Sequence, residues 1–236
     1  MSIISVKKYC VKGYRRISHR KGHGVHSPFV YTLITRVIEE DAAYYAYDEI
    51  KRKRDAVKLS TDAKGRHQLI PFKNATLLFR IINRFKPLSV LECGTSFGVS
   101  TLAIELAAPP EARITTVEAD AQRRAYLPVH GRTDIRCGGY AEEIPASCQS
   151  VSPPGFIYVR EHSDAEEYRK IFAAIEPYVS DNTFIMAEGM HKTGEIYNLF
   201  CRLARNDKIK VFMDMYDIAL FIASPKLNKE RYKESF

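Results

Sequence analysis

Residues 89–102 constrain the fold more than any other stretch. A short apolar run, Ser89-Val90-Leu91, ends in the acid Glu92, passes through Cys93-Gly94-Thr95-Ser96-Phe97-Gly98 and continues as Val99-Ser100-Thr101-Leu102. Strand, two-glycine turn and helix in that order form the opening unit of an α/β sheet. Gly94 and Gly98 allow backbone dihedrals closed to residues with a Cβ and let a ligand come close to the main chain. Thr95, Ser96 and Ser100 bring hydrogen-bond donors to the helix N-terminus. Glu92 is expected at the carboxyl end of its strand, facing the crevice. The loop reads as a nucleoside-cofactor site.

The spacing narrows the cofactor. An acid two residues before a G-x-x-x-G turn is not the G-x-G-x-x-G that seats a dinucleotide pyrophosphate, which favours S-adenosylmethionine over NAD. A β-branched run, Arg113-Ile114-Thr115-Thr116-Val117, ends in a second acid, Glu118, 24 residues after Gly94. A carboxylate at the end of the second strand can accept hydrogen bonds from vicinal ribose hydroxyls. Its alternative is a solvated acid opening a helix at Ala119-Asp120.

The rest of the chain alternates. Ser27 and Pro28 predict a helix start, and Val30, Leu33, Ile34 and Val37 carry an amphipathic helix over 28–40. A second helix is predicted from Asn74, with Leu77, Leu78, Ile81, Ile82 and Phe85 on one face and Pro87 as its stop. Strands are predicted near 88–92, 113–118, 133–137, 155–159, 182–187, 209–214 and 217–223. The last two are close enough to form an antiparallel hairpin. Asp164 with Glu167 marks a capped helix start. The predicted fold is α/β, a doubly wound Rossmann-like sheet, mostly parallel with a C-terminal hairpin, plus a basic helical extension. The expected division is 1–73 as extension or lid and 74–236 as the cofactor-binding domain.

On Glu92-Cys93-Gly94-Thr95-Ser96-Phe97-Gly98-Val99-Ser100 the chain resembles a class I S-adenosylmethionine-dependent methyltransferase, of the subgroup whose first motif reads E-x-G-T-S-x-G-x-S. It is also similar to a bacterial methyltransferase-like group with an N-terminal H-G-V-H-S-P-F-V, here His23 to Val30, and a closing strand pair, here Asp214 to Ala223. The resemblance covers most of the chain, residues 44–70 least. It implies a methyltransferase-type sheet, S-adenosylmethionine as cofactor, and a lid or substrate-proximal role for the His23–Val30 segment, whose alternative is a helix-entry loop.

Ligands of such sheets bind beyond the carboxyl ends of the strands. After the third strand, Tyr140 is a candidate to stack on adenine or simply to pack as a half-buried ring. After the fourth, similar proteins read D-G-x-H, but here the run is Arg160-Glu161-His162-Ser163. An arginine cannot ligate Mg²⁺, and beside a sulfonium it adds like charge unless it turns away or pairs with an acid such as Glu161. His162 is a candidate general base, or a surface loop histidine. After the fifth strand, Ala187-Glu188-Gly189-Met190-His191 keeps one carboxylate where similar metal-dependent enzymes have two oxygen ligands. Glu188 and His191 are the other acid–base candidates. The expectation is metal-independent methyl transfer to an unidentified acceptor.

Charge is uneven. Residues 1–70 hold 15 Lys and Arg against 7 Asp and Glu, while 71–236 hold 21 of each, so the whole formal charge of +8 falls in the first third. Lys7, Lys8, Lys12, Arg15, Arg16, Arg20 and Lys21, with a second cluster at Lys51-Arg52-Lys53-Arg54, form either a solvated face or a weak contact for nucleic acid or an acidic partner within 7–21. That keeps a second class open: a catalytically degenerate methyltransferase fold serving as a binding module for nucleic acid or a protein. A nucleotide-sugar or NAD oxidoreductase is disfavoured by the missing fingerprint. Five cysteines without a C-x-x-C speak against a disulfide framework or zinc site and suit a cytoplasmic setting. No apolar run is long enough to span a bilayer.

Overall fold

β1 (Ser89–Cys93), β2 (Arg113–Glu118), β3 (Thr133–Cys137), β4 (Phe156–Val159) and β5 (Phe184–Glu188) pair in parallel. β7 (Ile218–Ala223) runs antiparallel between β5 and β6 (Ile209–Asp214), and β8 (Glu230–Lys233) lies parallel to β6. The order is β3-β2-β1-β4-β5-β7-β6-β8. The computed structural model describes residues 10–11, 13–15, 22, 24–62, 65–66, 68–120, 132–149 and 153–236. The doubly wound sheet with its hairpin is as expected from the sequence; β8 was not foreseen. Its four residues alternate between half-buried and exposed at the edge of the sheet, too short a pattern to stand out.

The central strands read as unbroken apolar runs because helices cover both faces. On one side Val90, Tyr158, Met186 and Leu220 pack in a cluster with Val30, Ile50, Leu77 and Ile104. On the other, Leu91, Ile157, Ile185 and Phe221 pack with Ile144, Ile171 and Phe200. Neighbouring residues of one strand thus serve opposite cores, as the two-residue period of a strand requires.

The first helix is shorter than its periodicity implied. α1 (Pro28–Leu33) starts as predicted, with Ser27 Oγ accepting from the Val30 N–H, but widens into a π-turn, Ile34–Ile38, that ends before residue 40. The turn points Ile34, Val37 and Ile38 inward together. The main-chain oxygens of Val37 and Ile38 are taken by the buried guanidinium of Arg80, at 2.7 and 3.0 Å. α2 (Ala46–Ser60) was not foreseen: only Ala46, Ile50 and Val57 are buried on it, too sparse a stripe to read. Of its basic cluster, Arg54 is engaged, donating to the carbonyl of Ile70 at 2.9 Å. α3 (Phe72–Phe85) begins two residues before Asn74 and stops at Lys86 in left-handed conformation, ahead of Pro87. α4 (Val99–Ala107), α5 (Tyr140–Gln149), α6 (Ala165–Ile175) and α7 (Gly194–Leu203) follow, α6 capped by Asp164, whose side chain accepts from the Glu167 N–H.

Arg15 departs from the solvated reading of the basic stripe. It is buried, and its guanidinium forks onto the carboxylate of Asp214 at 2.8 and 2.9 Å. Lys7, Lys8, Lys12, Arg16, Arg20 and Lys21 lie outside the described residues. All five cysteines are free thiols. Among the described residues no helix is long and apolar enough to cross a membrane.

Candidate active site

The glycine turn sits at the carboxyl end of β1. Gly94 (φ +94°) and Gly98 (φ +71°) occupy the left-handed region, as their sequence positions suggested, and Ser96 joins them at +53°. A serine in that region needs an outside hold. Glu118 supplies it: one carboxylate oxygen accepts from the Ser96 N–H at 2.6 Å and the other from the Asp120 N–H at 2.9 Å. The acid at the end of β2 therefore shapes the loop and is almost wholly buried, while the helix that its alternative would open at Ala119-Asp120 falls mainly outside the described residues.

Glu92 does not open onto the crevice. It is fully buried between β2 and α4, with Oε2 accepting from Thr101 Oγ1 at 2.6 Å and Thr116 Oγ1 at 2.8 Å, and Oε1 without a partner. Burial pushes its carboxyl up to about 7, opposed by the hydroxyls of Ser100, Thr101 and Thr116. Thr95 shares a 2.5 Å contact with Thr116. The Ser96 hydroxyl is buried and unpartnered, and Gly98 caps α4 without a side-chain bond.

At the end of β4 the backbone N–H of Arg160 donates to the Cys93 carbonyl, so its side chain starts directly beside the glycine turn. A Cβ placed on Gly94 would stand 2.9 Å from Arg160 Nε and 3.3 Å from His162 Cε1. Two side chains thus converge over one glycine. Arg160 does not pair with Glu161, which is bound instead to Lys192 at 2.8 Å. His162 is no surface histidine: it is buried, with Nδ1 3.3 Å from Glu167 and Nε2 unpartnered. Burial lowers its pKa despite Glu167, while the same contact holds the Glu167 carboxyl down at about 2. The imidazole is therefore neutral, Nδ1–H donating to Glu167, and Nε2 keeps its lone pair. Tyr140, first residue of α5, is buried with its ring edge-on to His162 at 5.3 Å. Stacking on an adenine would require that ring to be uncovered.

At the end of β5 Glu188 is buried and accepts from Asn74 Nδ2 at 2.8 Å. Burial raises its carboxyl to about 7. His191 points elsewhere: Nε2 meets Asp214 at 2.9 Å and the ring stacks on Tyr216 at 4.7 Å. His162 and Glu188 share one cavity of about 460 Å³, walled also by residues 68–71, Arg160, Glu161, Ser163 and Lys192, whereas His191 does not line it. Residues 68–71, before the glycine turn in sequence, were missed because nothing local marks them, and Asn74 was read only as a helix start. Glu167 was seen only as a helix-cap acid. His23 lies outside the described residues, and His26 is exposed.

This sheet order, with a left-handed glycine turn after its central strand, defines the fold of Rossmann-like methyltransferases. Similar solved structures include an S-adenosylhomocysteine-bound methyltransferase from Podospora anserina (TM-score 0.63, 14% identity, 84% of this chain and 97% of that one). An O-methyltransferase from Bacillus cereus in complex with S-adenosylhomocysteine aligns with TM-score 0.59 and 14% identity, over 82% and 96% of the two chains. The Streptomyces achromogenes O-methyltransferase of tomaymycin synthesis, in complex with S-adenosylmethionine, gives 0.57 and 15%, over 83% and 95%. In sequence the chain is 37% identical over 81 residues to the Transmembrane O-methyltransferase homolog of Rattus norvegicus and that of Mus musculus. That match spans 33% of this chain and 30% of each relative. No protein-family model matches.

Proposed function

We propose that this chain binds S-adenosylmethionine at the Glu92–Ser100 turn and transfers its methyl group, without a metal ion, to an acceptor in the adjoining cavity. The observation that carries this reading is where the unsatisfied groups lie. Of five buried side-chain atoms without a hydrogen-bond partner among the described residues, three, Ser96 Oγ, Arg160 Nε and His162 Nε2, lie at the glycine turn. Orphaned buried polar atoms are rare in folded proteins, and a cluster of them fits a polar ligand. The residues suit the group: the turn exposes main chain at Gly94 and Gly98, and Glu118 holds it in shape. The complexes of the Podospora, Bacillus and Streptomyces proteins support the same cofactor.

Bound here, S-adenosylmethionine would supply a methyl group on an electrophilic sulfonium. The chain's own share is positioning and proton removal. His162, neutral and oriented by Glu167, would accept the acceptor's proton at Nε2. Glu188, with a pKa near 7 and a hydrogen bond from Asn74, would line the cavity as a mostly satisfied group. The two carboxylates on the cavity wall are engaged, Glu188 by the Asn74 amide and Glu161 by Lys192, which leaves a donor set beside the Arg160 guanidinium too poor in free oxygen for Mg²⁺.

Calorimetry tests the reading. S-adenosylmethionine and its demethylated product should bind and NAD should not, and Gly94→Asp should abolish binding, because its side chain would enter the space beneath Arg160. A folded Gly94→Asp variant with wild-type affinity would place the ligand elsewhere. Any transfer activity should survive EDTA; loss in EDTA with recovery in Mg²⁺ would refute the metal-free mechanism.

A further inference from the structure

The acids around Arg160 are committed elsewhere. Glu161 is paired with Lys192, Glu118 with two backbone amides, Glu167 with His162, and Glu188 with Asn74. The Arg160 side chain itself makes no ion pair or hydrogen bond among the described residues, although the residue is only 8% exposed and its Nε is completely enclosed. A buried guanidinium without a counter-charge is costly, and its planar array of donors matches a carboxylate. Lys192, the other cation on the cavity wall, is neutralised by Glu161 and further tied to the His162 carbonyl at 3.0 Å. Arg160 is therefore the cation on the cavity wall that no acid engages directly.

We propose that Arg160 is the carboxylate-binding residue of the cavity, so that a carboxylate-bearing molecule binds there with its acid group on the guanidinium over Gly94 and the remainder beside His162. The carboxylate belongs either to the amino-acid part of the methyl donor or to the acceptor. The position of the site rests on the S-adenosylmethionine reading, but the charge argument does not. A carboxylate docked on Arg160 would neutralise it and so remove the repulsion a nearby sulfonium would otherwise meet.

The test uses the full chain and Arg160→Gln, with matched melting temperatures as the check on folding. One arm follows 4-fluorobenzoate and the isosteric 4-fluorobenzamide by ¹⁹F NMR. The other compares S-adenosylmethionine with its decarboxylated analogue by calorimetry. If the acceptor carries the acid, the wild type should prefer benzoate to benzamide, and Arg160→Gln should erase the preference with a loss of roughly 10- to 100-fold in affinity. If the donor carries it, the same loss should fall on S-adenosylmethionine and spare the decarboxylated analogue. Equal binding of acid and amide by the wild type, together with equal binding of both donors by wild type and variant, would overturn the proposal while leaving the cofactor reading intact. Arg160-dependent benzoate binding without S-adenosylmethionine binding would do the reverse. Should Arg160→Gln not fold, the wild type's discrimination between acid and amide, and between the two donors, still decides.

Discussion

At the scale of single residues, the acids of the site have opposite duties. Glu118 holds the turn through Ser96, so Glu118→Ala should weaken S-adenosylmethionine binding by about 1.5–3 kcal/mol, the worth of hydrogen bonds to a carboxylate acceptor. Calorimetry on the variant measures this, and an unchanged dissociation constant would mean that the turn keeps its binding shape without Glu118. Glu92 is the reverse case. Its carboxyl, raised to about 7, prefers to be protonated when folded. The stability this gives is complete below the unfolded value near 4.5 and is lost as pH rises through about 7. Glu92→Gln mimics the protonated acid. Between pH 5 and pH 8.5, roughly, wild type should lose stability relative to this variant, on the order of 3 kcal/mol at full ionisation, read from denaturant midpoints at each pH. Parallel pH profiles would contradict the raised value.

At the scale of elements, the clasp between the segment at Arg15 and the end of β6 gives a sharper test. Both side chains are almost wholly enclosed. Asp214→Asn would leave the guanidinium buried and uncompensated, and should cost about 3–5 kcal/mol in denaturant unfolding. Arg15→Met combined with Asp214→Asn should cost less than the two single changes added together. Additive losses would mean the pair is not coupled. The strand and turn pattern was legible because β1, β4, β5 and β7 carry apolar residues for two cores, and because left-handed backbone selects glycine at 94 and 98. The clasp was not legible, since an arginine in a basic run looks like any solvated charge until the fold brings Asp214 to it. The same holds for Glu167 at His162 and Asn74 at Glu188: local sequence marked one as a cap and the other as a helix start, and neither pattern shows that Glu167 turns back onto the loop at His162 or that Asn74 meets the end of β5, 114 positions away.

At the scale of the whole molecule, the surplus charge is less available than the sequence suggested, since Arg15 is spent internally and Arg54 holds the Ile70 carbonyl. Deleting residues 1–21 would test the clasp and the basic arm at once. Lys7→Gln, Lys8→Gln and Lys12→Gln together leave Arg15 in place. Wild type should bind RNA or DNA no tighter than roughly 10⁻⁴ to 10⁻⁶ M at physiological salt, with a salt dependence that the triple variant flattens. Submicromolar, sequence-selective binding by fluorescence anisotropy would favour the binding-module reading instead. The clasp also orders events during synthesis. Arg15 and Asp214 are 199 positions apart. Arg15 leaves the ribosome well before β6 and must wait, hydrated and with its docking place not yet made, until β6 has been translated. In a growing chain, this early arginine is among the last side chains to find its place.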